Sequence, residues 1–334
     1  MEPMNLILQV PVYPLAVIHS KGMAMKTIKQ YLVRRGPDSA LVQGALKAHG
    51  LLHGFEVNFS GDRILLQKLD RDMILSKSYF VQVPLMMQSY ELFFDTIVAS
   101  DFNGRKVLDF SVPRLHRYKK SDVAFHFPSV PEDDVMDEYA HWYKPRAGDI
   151  VWDAGAHSGA TSYFLAQMVG PSGRVYAFEP DDNNFEYLLR NIEMHHLANV
   201  VPVKKALSGK TGTVMFDMEG NMCSGIGDYL VYADARHLKP VLTLTIADAC
   251  SEFGVIPVYI KMDIEGAELA AIREAAGFLK LHPIHFAMET NHLVDNEYTY
   301  KSLERLFPTF GYEVNSSNES GQMFTWARPT ISHA

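Results

Sequence analysis

The stretch DIVWDAGAHSG, Asp149–Gly159, carries an apolar run that ends in Asp153, then Gly155, His157 and Gly159 before a helical pattern opens. Branched and aromatic residues ahead of a glycine-interrupted turn predict a buried strand feeding a helix. In an open parallel sheet, ligands bind beyond the carboxyl ends of the strands where strand order reverses, and the first strand borders that crevice. Gly155 and Gly159 let a ligand approach the backbone closely, and helix N–H groups beginning near Gly159 can receive a carboxylate.

Outward from this stretch, strands are predicted at Asp149–Asp153, Arg174–Glu179, Val200–Lys204, Tyr259–Asp263 and Ile284–Glu289. Helices are predicted over Gly159–Met168, Asn183–His195, Ala267–Leu279 and Tyr298–Phe307. GYEVN and QMFTWARP, joined by SSNESG, predict an antiparallel hairpin that closes the sheet. The expected fold class is therefore α/β: a doubly wound, mostly parallel seven-stranded sheet with a C-terminal hairpin.

Before about Pro131 the texture changes. GFEVNFSGDRILLQKL alternates like a strand pair around Ser60-Gly61-Asp62, and VPLMMQSYELFFDTIVAS reads as one apolar helix, Leu85–Val98, opened by Pro84. HFPSVPEDD is the expected linker. The reading divides the chain into a smaller N-terminal α+β region, residues 1–130, and a domain over 131–334.

Of the 334 residues, 47% are hydrophobic and 21% charged, enough for a substantial core. A net charge of -8, with no basic run longer than the RYKK loop at Arg117–Lys120, gives no footprint for nucleic acid. Two cysteines, Cys223 and Cys250, are too few for a disulfide framework and suit a reducing, cytoplasmic setting. The apolar Leu6–Ile18 carries Gln9, Pro11 and Pro14 and is too short to cross a bilayer, so no membrane span or signal peptide is expected.

Glu179, in FEP, stands twenty residues after Gly159, the spacing at which an acid accepts from both ribose hydroxyls of an adenosine. A dinucleotide fold needs glycine where this chain has His157, and an Asp153 carboxylate facing the same space would repel a diphosphate. Such a site suits the sulfonium and amino group of S-adenosylmethionine (SAM). In VYIKMDIEGAE, Lys261, Asp263 and Glu265 share one face at a strand exit, so Asp263 is expected beside the cofactor. A pairing of Lys261 with Asp263 is the structural alternative, and for Glu265 and Glu268 the alternative is helix N-terminal acids. In PIHFAMETNH, Glu289 and His292 follow the next strand, and His285 reads as a core residue. His292, Glu289 and Asp263 are the candidate proton acceptors. A minor option is magnesium held by Asp263, Glu289 and Asn291.

GDIVWDAGAHSGATSYFLA, VYAFEPDDNNFEYLLRNI, VKKALSGKTGTVMF and IKMDIEGAELAAI resemble, in order and spacing, the FkbM family of SAM-dependent methyltransferases over about Glu138–Thr290. The resemblance implies O-methylation of a sugar, glycolipid or natural-product hydroxyl. It also implies a cofactor site made by Asp153, Gly155, Ala156, His157, Gly159, Thr161, Glu179, Pro180 and Asp263, with Ala206, Leu207 and Ser208 around the adenine. The rival expectations are a nicotinamide-dependent oxidoreductase of related topology and a SAM-binding module without turnover. Residues 1–130 are expected to pack on the core, roof the acceptor pocket or form a homodimer, and the glycine-rich Gly220–Leu238 to border that pocket.

Overall fold

The computed structural model describes residues 35–132, 136–218, 224–226, 238–295, 297–319 and 322–330. The chain divides into two compact units, Met1–Asp133 and Asp134–Ala334. The Leu6–Ile18 stretch and most of Gly220–Leu238 lie outside the described residues.

In the first unit, helix α1 (Ala40–Leu52) precedes strands β1 (Glu56–Ser60), β2 (Arg63–Lys68) and β3 (Arg71–Ser76). The expected strand pair is β1–β2, registered from Ser60 opposite Arg63 to Glu56 opposite Gln67. The expected single apolar helix is instead two, α2 (Val83–Gln88) and α3 (Tyr90–Thr96), broken at Ser89. Buried Val83, Met86, Met87, Tyr90, Phe93 and Phe94 keep one helical stripe across the break. Periodicity therefore reads straight through a one-residue change of backbone direction. Strands β4 (Ser100–Phe102) and β5 (Arg105–Phe110) complete a five-stranded sheet of order β1-β2-β3-β5-β4.

The expected linker holds the boundary between the two units, at Asp133 and Asp134, but its first half is buried. Strand β6 (Arg114–Arg117) pairs with β7 (Ala124–Phe127), and Phe127, Ser129 and Val130 are buried. Tyr79 donates to Ser129 Oγ at 2.7 Å, and the Tyr118 hydroxyl donates to the Glu132 carbonyl at 2.7 Å. The tract's prolines and acids suggested solvent, whereas its phenylalanine and valine side chains drive it into the core.

The second unit starts with the short helix α4 (Met136–Tyr139) and then alternates as the sequence predicts. Its elements are β8 (Ile150–Ala154), α5 (Ala160–Val169), β9 (Arg174–Phe178), α6 (Asp182–Met194) and β10 (Val200–Val203). A small four-stranded sheet follows: β11 (Ala206–Leu207), β12 (Gly212–Asp217), β13 (Gly225–Ile226) and β14 (Leu238–Leu244), in the order β11-β14-β12-β13. After α7 (Ile246–Phe253) come β15 (Tyr259–Met262), α8 (Glu268–Leu281) and β16 (His285–Glu289). The short pair β17 (Leu293–Val294) and β18 (Glu297–Tyr298), helix α9 (Thr299–Leu306) and the hairpin β19 (Tyr312–Ser317) and β20 (Phe324–Pro329) end the unit.

The main sheet has seven strands in the order β10-β9-β8-β15-β16-β20-β19. The first four pairings are parallel and the two involving β20 are antiparallel. Strand order reverses between β8 and β15, which places a crevice at their carboxyl ends. Alternate residues of the central strands feed two cores: Trp152, Phe178, Ile260 and Phe286 on one face, Val151, Val175, Tyr259 and Ala287 on the other. Burial on both faces explains why these strands read as continuous apolar runs. Among the described residues, no helix is long and apolar enough to cross a membrane.

Candidate active site

The turn after β8 is built by contact with its neighbours. The N–H groups of Gly155 and Ala156 both donate to the Phe178 carbonyl, at 3.1 and 2.9 Å. Gly155 has φ +78, and a Cβ there would lie 1.8 Å from the Asp263 carbonyl oxygen. Only a bare backbone fits between the two strand exits. Gly159, at φ +85, is the cap residue in front of α5.

Asp153 does not enter the crevice. It is 0% exposed, its Oδ2 accepts from Ser162 Oγ at 2.6 Å, and its Oδ1 lies 3.1 Å from the Lys261 ammonium. Lys261 Nζ also donates to the Gly155 carbonyl at 2.7 Å and lies 5.3 Å from the centre of the Tyr139 ring. The expected charge of Asp153 toward a ligand is thus corrected to an internal ion pair. Lys261, for which a pairing with Asp263 was the structural alternative, pairs with Asp153, because the parallel register sets the two opposite each other on adjacent strands.

Glu179 and Asp263 supply the acidic groups of the lining instead. Both border one cleft with Gly155, Pro180, Ala206 and Leu207, so six of the anticipated cofactor residues come together. Glu179 Oε2 accepts from the His157 N–H and Oε1 from the Asp181 N–H, both at 2.8 Å. Burial pushes its carboxyl up to about 8. Ala156, His157, Gly159 and Thr161 do not line the cleft. Ala156, His157 and Thr161 are buried in and after the turn, with His157 at φ +47. Ser208, whose N–H donates to the Leu244 carbonyl, borders a neighbouring cleft with Lys210 and Arg273.

Several wall residues escaped the sequence reading. Phe178, Phe216, Ile226 and Ile264 make the cleft largely apolar, and Ser224 lies at its edge, where its Oγ donates to Asp181 Oδ2 at 3.0 Å. Phe216 and Ile226 arrive through the β12–β13 pairing, in which they sit opposite each other. The sequence signal for Phe216 is the short apolar run VMF, Val214–Phe216. Buried Tyr139 was also missed: burial, and then the charges of Asp263, Glu289 and Asp153, raise its hydroxyl well above the ordinary range.

The last strand exits form a second group. His292 Nε2 lies 3.5 Å from Glu265 Oε2 and 3.9 Å from Asp263 Oδ1, while Nδ1 lies 3.3 Å from Glu268 Oε1. Burial opposes a charge on this ring, but Glu268 and Glu265 outweigh it and raise its pKa well above the usual histidine value. Glu268, 0% exposed, accepts from the N–H groups of Ile264 and Gly266 as the first residue of α8, the helix-terminal role named as its alternative. Glu289 Oε1 accepts from Asn291 Nδ2 at 2.8 Å. Of the minor magnesium option, Glu289 and Asn291 are in contact through that bond, while Asp263 gathers instead with Glu265 and His292, one ligand atom of each lying within 4.8 Å of the others. His285 packs its ring on Tyr143 at 4.2 Å, as a core histidine does.

Residues 153–314 match the methyltransferase FkbM domain. A protein-L-isoaspartate O-methyltransferase from Aeropyrum pernix is 36% identical over 78 residues, 23% of this chain and 30% of that protein. The catalytic subunit of a tRNA (adenine(58)-N(1))-methyltransferase from Cryptococcus neoformans is 44% identical over 55 residues, 16% of this chain and 13% of that one. These matches span less than a third of the curated relatives' own length. Among solved structures, a methyltransferase FkbM from Methylobacillus flagellatus aligns with TM-score 0.40 and 17% identity over 56% of this chain and 45% of that one.

Proposed function

We propose that the chain, whose residues 153–314 match the methyltransferase FkbM domain, transfers a methyl group from SAM to a hydroxyl oxygen of a sugar, glycolipid or natural-product acceptor. The observation that carries this reading is the pairing of Glu179 and Asp263 in one apolar-walled cleft at the point where strand order reverses. Glu179 accepts from the ribose hydroxyls, the Phe178, Leu207 and Phe216 side takes the adenine, and Asp263 faces the cationic end of the cofactor. A diphosphate would meet the Asp263 carboxylate, and His157 stands where a dinucleotide turn needs glycine, which together favour SAM over a nicotinamide dinucleotide.

The reaction needs the acceptor oxygen, methyl carbon and sulfur held in line. As the O–C bond forms, the C–S bond breaks, its electron pair stays on sulfur, and the hydroxyl proton passes to a carboxylate. Glu289, with Asp263 and His292 beside the same strand exits, is the group we assign to that proton. We assign the unit Met1–Asp133 to acceptor selection or self-association, and the chain to the cytoplasm.

The reading is tested by calorimetric titration with SAM and NADH, followed by incubation with methyl-labelled SAM and cell extract. SAM binding that Glu179→Ala and Asp263→Asn abolish, with label on a hydroxyl product, is expected. Tight NADH binding without SAM binding reverses the assignment, and SAM binding without transfer to any acceptor leaves a binding module.

A further inference from the structure

The geometry points to a divalent-metal site formed by Asp263, Glu265 and His292, taking a first-row transition-metal cation such as Mn2+. One ligand atom from each residue lies within 4.8 Å of the others. His292 Nε2 is 3.5 Å from Glu265 Oε2 and 3.9 Å from Asp263 Oδ1. Bonds of about 2.0–2.2 Å to such a cation set neighbouring ligand atoms ~3–3.5 Å apart, so small side-chain rotations close the set. One imidazole with two carboxylates suits Mn2+, Fe2+ or Zn2+ better than magnesium, which prefers oxygen alone. Three protein ligands leave coordination positions open to a water or a substrate oxygen.

A second feature lies on the other side of the ring. Glu268 sits 3.3 Å from Nδ1, the place from which a carboxylate orients a metal-binding histidine so that Nε2 faces the cation. The other oxygen of that carboxylate, Oε2, is fully buried without a hydrogen-bond partner. A buried carboxylate oxygen in that condition is costly unless charge nearby compensates it. Three carboxylates around one imidazole keep the cluster negative, and a dication that takes the place of a proton on Nε2, released to solvent, offsets that excess.

The site borders the SAM cleft through Asp263. If methyl transfer is the reaction, a point that rests on the proposed function, the open positions receive the acceptor hydroxyl. Binding itself does not depend on that reading.

The test is an electron paramagnetic resonance titration of the 334-residue, SAM-free chain with MnCl2. One equivalent of Mn2+ is expected to bind, with affinity lowered at least roughly tenfold by Glu265→Gln and by His292→Gln, and unchanged by Glu289→Gln. Because His292 packs on buried Glu268, its variant is read only beside Glu265→Gln, a half-buried position, with thermal melts of both. No Mn2+ bound at millimolar concentration, binding that survives both substitutions, or an equal loss with Glu289→Gln overturns the ligand set. SAM titration without metal keeps the two readings apart: SAM binding without Mn2+ binding removes the metal site alone, and Mn2+ binding without SAM binding removes the methyltransferase reading alone.

Discussion

Lys261 and Asp153 face each other in register across β15 and β8, with Nζ and Oδ1 3.1 Å apart and both side chains almost wholly out of solvent. The same ammonium holds the Gly155 carbonyl. A pair of opposite charges beneath the glycine turn thus fixes the backbone that meets the cleft.

Lys261→Met leaves Asp153 as an uncompensated buried charge. A loss of about 3–5 kcal/mol in urea unfolding is expected, and the double variant Lys261→Met with Asp153→Asn should recover much of it. A double-mutant cycle measures the coupling, and simple additivity would contradict the pairing.

Gly155→Ala places a methyl group against the Asp263 carbonyl at a φ that side chains rarely adopt. Backbone cannot yield as a side chain does, so SAM affinity and thermal stability should both fall. At Gly159 the nearest atom to a new Cβ is Leu188 Cδ1, 2.6 Å away at the end of a flexible side chain. Gly159→Ala is therefore expected to cost less, and paired melting curves rank the two.

Glu179 titrates near 8 because it is buried. The folded chain holds a proton that the unfolded chain releases above the ordinary value of 4.5, so stability falls as pH rises between 4.5 and about 8. The slope from this group is about 1.4 kcal/mol per pH unit. Glu179→Gln should flatten that decline in pH-dependent unfolding. Ribose hydroxyls donate to the anion, so SAM binding should tighten as pH climbs toward 8 and release a proton, visible by calorimetry in buffers of different ionisation enthalpy.

Glu289→Gln keeps an oxygen that can accept from Asn291 but removes a proton acceptor. A fall in kcat of roughly 10²–10⁴ is expected, with the SAM dissociation constant unchanged. Single-turnover methyl transfer measures it, and an unaltered kcat moves the proton to another group.

Much of the second unit is legible from local chemistry. The five parallel strands, their helices and the closing hairpin stand within one or two residues of their predicted bounds. Apolar runs, glycine turns and polar breaks act over a few neighbours. In the first unit Ser89 and the buried Val130 show the limit of the same signals: an apolar stripe does not report a break in its backbone, and prolines do not report what their neighbours bury.

By itself the sequence determined the order of the five parallel strands and the closing hairpin, the bare backbone at Gly155 and the acid at Glu179, because these depend on spacing along one chain. Tertiary structure alone decided that Asp153 turns inward to Lys261, that Phe216 and Ile226 wall the cleft, and that His292 gathers Asp263, Glu265 and Glu268. Those outcomes follow from register between strands distant in sequence: a carboxylate goes to whichever cation the neighbouring strand sets opposite it, and no local pattern carries that information.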